Sequence, residues 1–205
     1  MLPRMDARLE ALLDQLHEDG AAFDAARDDG RERRRNLEPD SARLLRLLVL
    51  ATGAKRVLEL GCSNGYSTIW LADAVAANEG TLVSVDLDQG RLDEARANVT
   101  EAGLADTVEL RLEDVAAALD GSADSAWDLV FLDAERPAYP AYWANLVRVL
   151  RPGGLLAVDN VISHAAEVAD LRTLVTADRR VSQALVPTGA GVLLVTRLRQ
   201  PAGER

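Results

Sequence analysis

Val57-Leu-Glu59-Leu-Gly61-Cys62-Ser-Asn-Gly65-Tyr-Ser67-Thr68 joins a short apolar run to a glycine turn and then to an apolar helical stretch. That order is a strand followed at once by a crossover helix, the opening unit of a sheet with helices on its faces. Gly61 lets the chain turn sharply at the strand end, and Gly65 allows close approach where the helix begins. The alternation persists downstream. Apolar runs at 56–60, 82–86, 108–112, 129–133 and 155–159 alternate with helical patterns at about 65–78, 88–102, 114–120, 137–149 and 165–177. Most of the runs are almost continuously apolar, as strands buried on both faces require. The ending differs. Only Pro187-Thr-Gly-Ala separates 181–186 from 191–198, which predicts a hairpin and so an antiparallel pair closing an otherwise parallel sheet.

Upstream, Leu9, Leu12, Leu13 and Leu16 mark one face of a helix running from Met5 to about residue 27. A charged connector at 28–36 follows, then a second helix entered at Pro39 and stopped at Gly53. The expected organisation is 1–36 for the first helix and connector and 37–205 for the main domain, together one structural unit.

The 205 residues include 23 Lys+Arg and 33 Asp+Glu, a net charge of −10 that weighs against binding nucleic acid by phosphate neutralisation. Hydrophobic residues at 48% and charged residues at 27% describe a globular chain able to bury a full core. Cys62 is the only cysteine, which excludes an intrachain disulfide and a cysteine zinc cluster. The first residues carry charges where a secretory signal needs an apolar stretch, and the longest apolar run, 47–51, is far too short to cross a membrane. A cytoplasmic protein without membrane contact is therefore expected. Lys55 is the only lysine, so an arginine elsewhere reflects composition as well as selection.

The glycine turn reads Gly-x-x-x-Gly, lacking the middle glycine of Gly-x-Gly-x-x-Gly that cradles a pyrophosphate. This disfavours a nicotinamide oxidoreductase. Glu59, just before the turn, suits an amino group better than a phosphate. Asp86 ends the second strand, where a carboxylate accepts hydrogen bonds from ribose hydroxyls. A ribose and a cationic amino-acid end without a phosphate describe S-adenosylmethionine. The plainer alternative is a glycine turn that only packs helix on sheet.

On these residues, and over 36–198, the sequence resembles the class I S-adenosylmethionine-dependent methyltransferases. Within them it looks like the metal-dependent O-methyltransferases of the catechol and caffeoyl-coenzyme A type. The resemblance implies a doubly wound α/β sheet of seven strands in the order 3-2-1-4-5-7-6, with the last strand antiparallel, and a homodimer. It also implies that Glu59, Gly61, Cys62 and Ser67 hold the methionine end of the cofactor and Asp86 the ribose. The step Glu113-Asp114-Val115 would border the adenine, and Leu37 would lie near the entrance. Cys62 otherwise reads as a reactive thiol, but no base is partnered with it, and a small side chain in a tight loop is the favoured role.

Phe131-Leu-Asp133-Ala-Glu135-Arg136 ends the fourth strand and Ala157-Val-Asp159-Asn160 the fifth. In the implied strand order, Asp133 and Asp159 terminate neighbouring strands about 5 Å apart. Two carboxylates and an amide oxygen converging there suit a hard divalent cation, Mg²⁺ first, with Mn²⁺ or Ca²⁺ as alternatives. The resemblance implies the same ligands, Asp133, Asp159 and Asn160, with Asp133 also near the sulfonium. The plainer reading makes Asp159-Asn160 a strand-end turn and Asp133 a helix cap.

Such a cation would favour the ionised form of a phenol, and a vicinal diol on an aromatic ring would present one oxygen to the methyl group. The leading substrate is thus a small catechol-like aromatic, with a hydroxylated tRNA uridine or a non-catalytic cofactor-binding role as alternatives. Relatives carry a lysine, often assigned as the base, where this chain has Arg136. An arginine stays protonated, so Arg136 is expected to hold the oxyanion while water or His164 takes the proton. His164 otherwise reads as a solvent-facing loop residue and His17 as a surface one. Tyr139, Tyr142 and Trp143 either wall the acceptor or pack helix on sheet. The arginine-rich run 31–35 either meets an anionic substrate tail or is a solvated connector.

Overall fold

The computed structural model describes residues 5–28 and 33–199. Seven strands form one sheet in the order β3-β2-β1-β4-β5-β7-β6. β1 (Arg56–Leu60), β2 (Thr81–Asp86), β3 (Val108–Leu112), β4 (Trp127–Leu132) and β5 (Leu150–Val158) run parallel. β7 (Val192–Arg197) lies antiparallel between β5 and β6 (Val181–Val186), as the four-residue connection predicts. β1 and β4 are the central strands, and their inward residues, Val57, Leu58, Leu60, Val130, Phe131 and Leu132, are almost wholly buried.

One apolar layer joins α1 (Ala7–Ala25), α2 (Pro39–Thr52) and α3 (Tyr66–Ala77) to the sheet, and α1 contributes Leu9 and Leu13 to it. The other face is covered by α5 (Val115–Gly121), α6 (Tyr139–Val149) and α7 (Ala169–Ala177). α4 (Gln89–Glu101) packs Leu92 and Ala95 beside Cys62 of the glycine turn. Polar caps set several helix starts: Asp6 accepts from Arg8 N, Asp88 from Gly90 N and Arg91 N, and Asp114 from Ala116 N. Pro39 opens α2, and Gly53 closes it in the left-handed conformation.

Two elements differ from the sequence pattern. β5 begins at Leu150, because Pro152-Gly153-Gly154 bulges within the strand and the register with β4 shifts between Trp127 and Leu129. α7 begins only at Ala169. Residues 165–168, expected in the helix, are turns, with Glu167 N and Val168 N donating to His164 O. Just before them the N–H groups of Val161, Ile162 and Ser163 donate to Gly191 O and Ala190 O in the β6–β7 turn at 3.0–3.1 Å. No described helix is long and apolar enough to cross a membrane.

Candidate active site

At the carboxyl ends of β1, β2, β4 and β5 lies a cavity of about 690 Å³, within the usual range for a small-molecule site. The glycine turn forms its floor. Gly61 has φ +103°, and any side chain there would overlap the Asp133 carbonyl; a Cβ at Gly65 would press on Ala95 at 3.0 Å. Both glycines are therefore required by space as well as by torsion.

Glu59 lies beneath this floor, with no exposed surface. Its carboxylate accepts from Ser67 Oγ at 2.6 Å, Thr68 Oγ1 at 2.5 Å and Ser84 Oγ at 2.6 Å. Burial outweighs those three donors and pushes its carboxyl up to about 7. Glu59 does not line the cavity, whereas Ser67 does. Because the Ser67 hydrogen points at Glu59, the hydroxyl oxygen is left as an acceptor facing the cleft, the polarity an ammonium group needs.

Asp86 lines the cavity, and each of its oxygens accepts one backbone bond, from Ser63 N and from Asp88 N, both at 3.0 Å. Leu37, Gly61, Cys62, Asp114 and Val115 also line the cavity. Asp114 uses one oxygen to cap α5 at Ala116 N, 2.8 Å away. The Cys62 thiol is buried, and burial pushes its pKa far up, so it is inert as a nucleophile.

Asp133, Asp159 and Asn160 meet at the far end of the same cavity. Asn160 adopts φ +65°, a left-handed conformation uncommon outside glycine, which brings its amide between the two carboxylates. Its Nδ2 lies 3.2 Å from Asp133 Oδ1 and 2.9 Å from Asp159 Oδ2. Asp159 Oδ1 is buried without a hydrogen-bond partner. Burial lifts both carboxyls well above the ordinary carboxylate range, and Asp133 raises Asp159 further.

An orphaned buried carboxylate oxygen beside a second carboxylate and an amide fits a hard divalent cation, once the amide turns its oxygen inward. Among the described residues no three His, Cys, Asp or Glu side chains gather as a metal cluster, so the amide has to be the third donor.

Arg136 begins a turn of 3₁₀ helix, Arg136–Ala138, and its Nε donates to Glu167 Oε2 at 2.8 Å. His164 lines the cavity, and its Nδ1 lies 2.8 Å from Ser163 Oγ. Of the three aromatic residues only Tyr142 faces the cleft. Tyr139 is fully buried and clamps Ala134 by its N–H and its carbonyl, while the Trp143 indole donates to Asp178 at 3.1 Å. His17 is half-buried rather than at the surface, its ring 5.7 Å from that of Tyr66. Arg31 and Glu32 fall outside the described residues, while Arg33, Arg34 and Arg35 line the cleft. Lys55 lies at the opposite end of β1, 4.0 Å from Glu79.

Sequence reasoning missed Thr68, Ser84, Asp24 and Glu167. Ser84 was findable only through register, since it pairs with Glu59 across β1 and β2. Asp24 accepts the N–H groups of Arg34 and Arg35 at 2.7 and 2.9 Å, and no local pattern announces either it or Glu167.

Comparison with known proteins identifies the family. Residues 25–198 match the O-methyltransferase family model. The catechol O-methyltransferase of Mycobacterium tuberculosis is 35% identical over 168 residues, covering 82% of this chain and 76% of that protein. A catechol O-methyltransferase of Niastella koreensis is 36% identical over 130 residues, or 62% of this chain, and the match spans only 58% of that relative's length. Among solved structures, an O-methyltransferase from Bacillus cereus in complex with SAH superimposes with a TM-score of 0.75 at 27% identity, covering 96% of this chain and 93% of that one. TomG, an O-methyltransferase from Streptomyces achromogenes in complex with SAM, gives a TM-score of 0.75 at 27% identity over 97% of this chain and 93% of its own. The chain belongs to the O-methyltransferase family.

Proposed function

We propose that the protein transfers a methyl group from S-adenosylmethionine to a hydroxyl of a small catechol-like aromatic, assisted by a divalent cation at Asp133, Asp159 and Asn160. The observation that carries this reading is the shared cavity: the glycine turn and Asp86 line one end, and Asp159, with its orphaned oxygen, lines the other. The names of the relatives support the aromatic diol.

Ser67 would accept from the amino group of the methionine end, Asp86 from the ribose hydroxyls, and Val115 would flank the adenine. The cation, when bound, supplies Lewis acidity that favours an ionised phenol. In the transfer the C–S bond breaks as a C–O bond forms, leaving a neutral thioether and a methyl ether, and the hydroxyl proton leaves to water or His164. Arg136 lines the cavity near Asp133, and its fixed charge favours the ionised oxygen without accepting a proton. The geometric demand is an oxyanion held in line with the methyl group, which rigid strand ends satisfy. A homodimer belongs to the same reading; sedimentation at the mass of a single chain would remove it.

The test is methylation of catechol with S-adenosylmethionine in Mg²⁺ and in excess EDTA, alongside calorimetric titration of S-adenosylhomocysteine. Turnover should vanish on chelation while most cofactor affinity stays. Full activity in EDTA would exclude the cation-assisted route.

A further inference from the structure

Arg136 holds its place through a residue from a different loop. Its side chain is 12% exposed, and Nε donates to Glu167 Oε2 at 2.8 Å. Nε carries the single N–H on the lateral edge of the guanidinium, so this bond orients the guanidinium plane and leaves the two terminal nitrogens for the cavity that Arg136 lines. Among the described residues nothing else bonds to that guanidinium.

Glu167 belongs to the loop that also carries Asn160 and His164. His164 N donates to Asn160 O and Glu167 N to His164 O, both at 3.0 Å. The contacts thus run from Asp133 through Asn160, His164 and Glu167 to Arg136, and Arg136 returns along the chain to Asp133. The Arg136 guanidinium lowers the Glu167 carboxyl below its ordinary range, chiefly through that hydrogen bond. A lysine ammonium has no such division between an anchoring N–H and a reaching fork. In a chain with a single lysine, the arginine at this position could be read as compositional bias, but its partner gives it a structural use.

We propose that Glu167 is a positioning residue that aims the terminal nitrogens of Arg136 at the reacting hydroxyl. The inference rests on the reading above, in which Arg136 faces the ionised oxygen of the acceptor.

The test is a double-mutant cycle on Glu167→Gln and Arg136→Ala, with catechol as acceptor and Mg²⁺ present. Glu167→Gln should lower kcat about tenfold with KM for S-adenosylmethionine within twofold of the parent, and should change little when Arg136 is already alanine. Asp170→Asn, which removes an exposed charge from the first turn of α7, should leave kcat unchanged. Independently of turnover, the Arg136 Nε–H resonance should shift, and its exchange with water should quicken, in Glu167→Gln. An equal loss from Glu167→Gln in both backgrounds, an unchanged kcat, or an unmoved Nε–H signal would each overturn the inference. A parent that methylates no diol would overturn the functional reading instead, and the resonance would still decide whether Glu167 holds Arg136.

Discussion

The Asp133 carbonyl occupies the volume in which a side chain at Gly61 would stand. Asp133 N in turn donates to Leu60 O at 3.0 Å, so the two strand ends interlock at the point where the two halves of the cleft meet. One residue without a side chain therefore sets the distance between the glycine turn and the carboxylate pair.

Gly61→Ala should push β1 and β4 apart at their carboxyl ends and strain a torsion that L residues rarely adopt. A loss of roughly 3 kcal/mol in unfolding free energy is expected from strain and overpacking. Urea denaturation and calorimetric titration of S-adenosylhomocysteine check it, and a variant with parental stability and affinity would show that the loop yields.

Glu59 predicts a pH dependence. Its carboxyl is pushed up to about 7 from an ordinary 4.5, mainly by burial. A group that holds its proton more tightly folded than unfolded adds stability that is fully present below the ordinary value and is lost as pH rises through 7. Relative to Glu59→Gln, the parent should lose about 3 kcal/mol between about pH 4.5 and 7.5. Denaturant midpoints measured across that window test this; parallel profiles for the two proteins would contradict it.

Asp86→Ala should weaken S-adenosylmethionine binding about ten- to hundredfold, the cost of a lost charge-assisted hydrogen bond. It should also loosen the turn at Ser63 and Asp88, whose N–H groups Asp86 accepts. Asp86→Asn keeps one oxygen acceptor and should lose less. Unchanged calorimetric affinity in Asp86→Ala would remove this carboxylate from the cofactor site.

Arg136→Ala should slow methylation of catechol by about tenfold or more, because a fixed positive charge beside the developing oxyanion is lost. Arg136→Lys keeps a charge and introduces a group able to take a proton, so its activity should survive and its rate should gain an added dependence on pH. Rates for Arg136→Ala equal to the parent across about pH 6–9 would make Arg136 a bystander.

The sheet was legible because most of the parallel strands are apolar runs, and the residues that follow their carboxyl ends gather at one edge. Asp86, Asp133 and Asp159 were therefore visible as candidates in sequence, and all three line the cavity. The hairpin was legible from the shortness of 187–190. What stayed hidden depends on approach across the chain. Glu59 looks in sequence like a ligand-facing acid, yet its strand alternation and the β1–β2 register bury it against Ser84. Tyr139 looks like a wall residue, but it enters the helix pointing at Ala134. Glu167, exposed, and Asp24, half-buried, are two acids in a chain rich in acids, and only the fold distinguishes them from the rest.

The bonds from Val161, Ile162 and Ser163 to Ala190 and Gly191 have a consequence for synthesis. The glycine turn finds partners in Val85, Asp86 and Asn98, and these emerge from a ribosome well before Ala190 and Gly191. The loop bearing Asn160 and His164 has to wait for the β6–β7 turn, whose Ala190 and Gly191 lie far downstream of Asn98. At translation rates of about 5–20 residues per second, the two ends of the cleft become foldable seconds apart. The glycine-turn end of the cleft can thus order first, and the carboxylates at the other end only once the β6–β7 turn has been made.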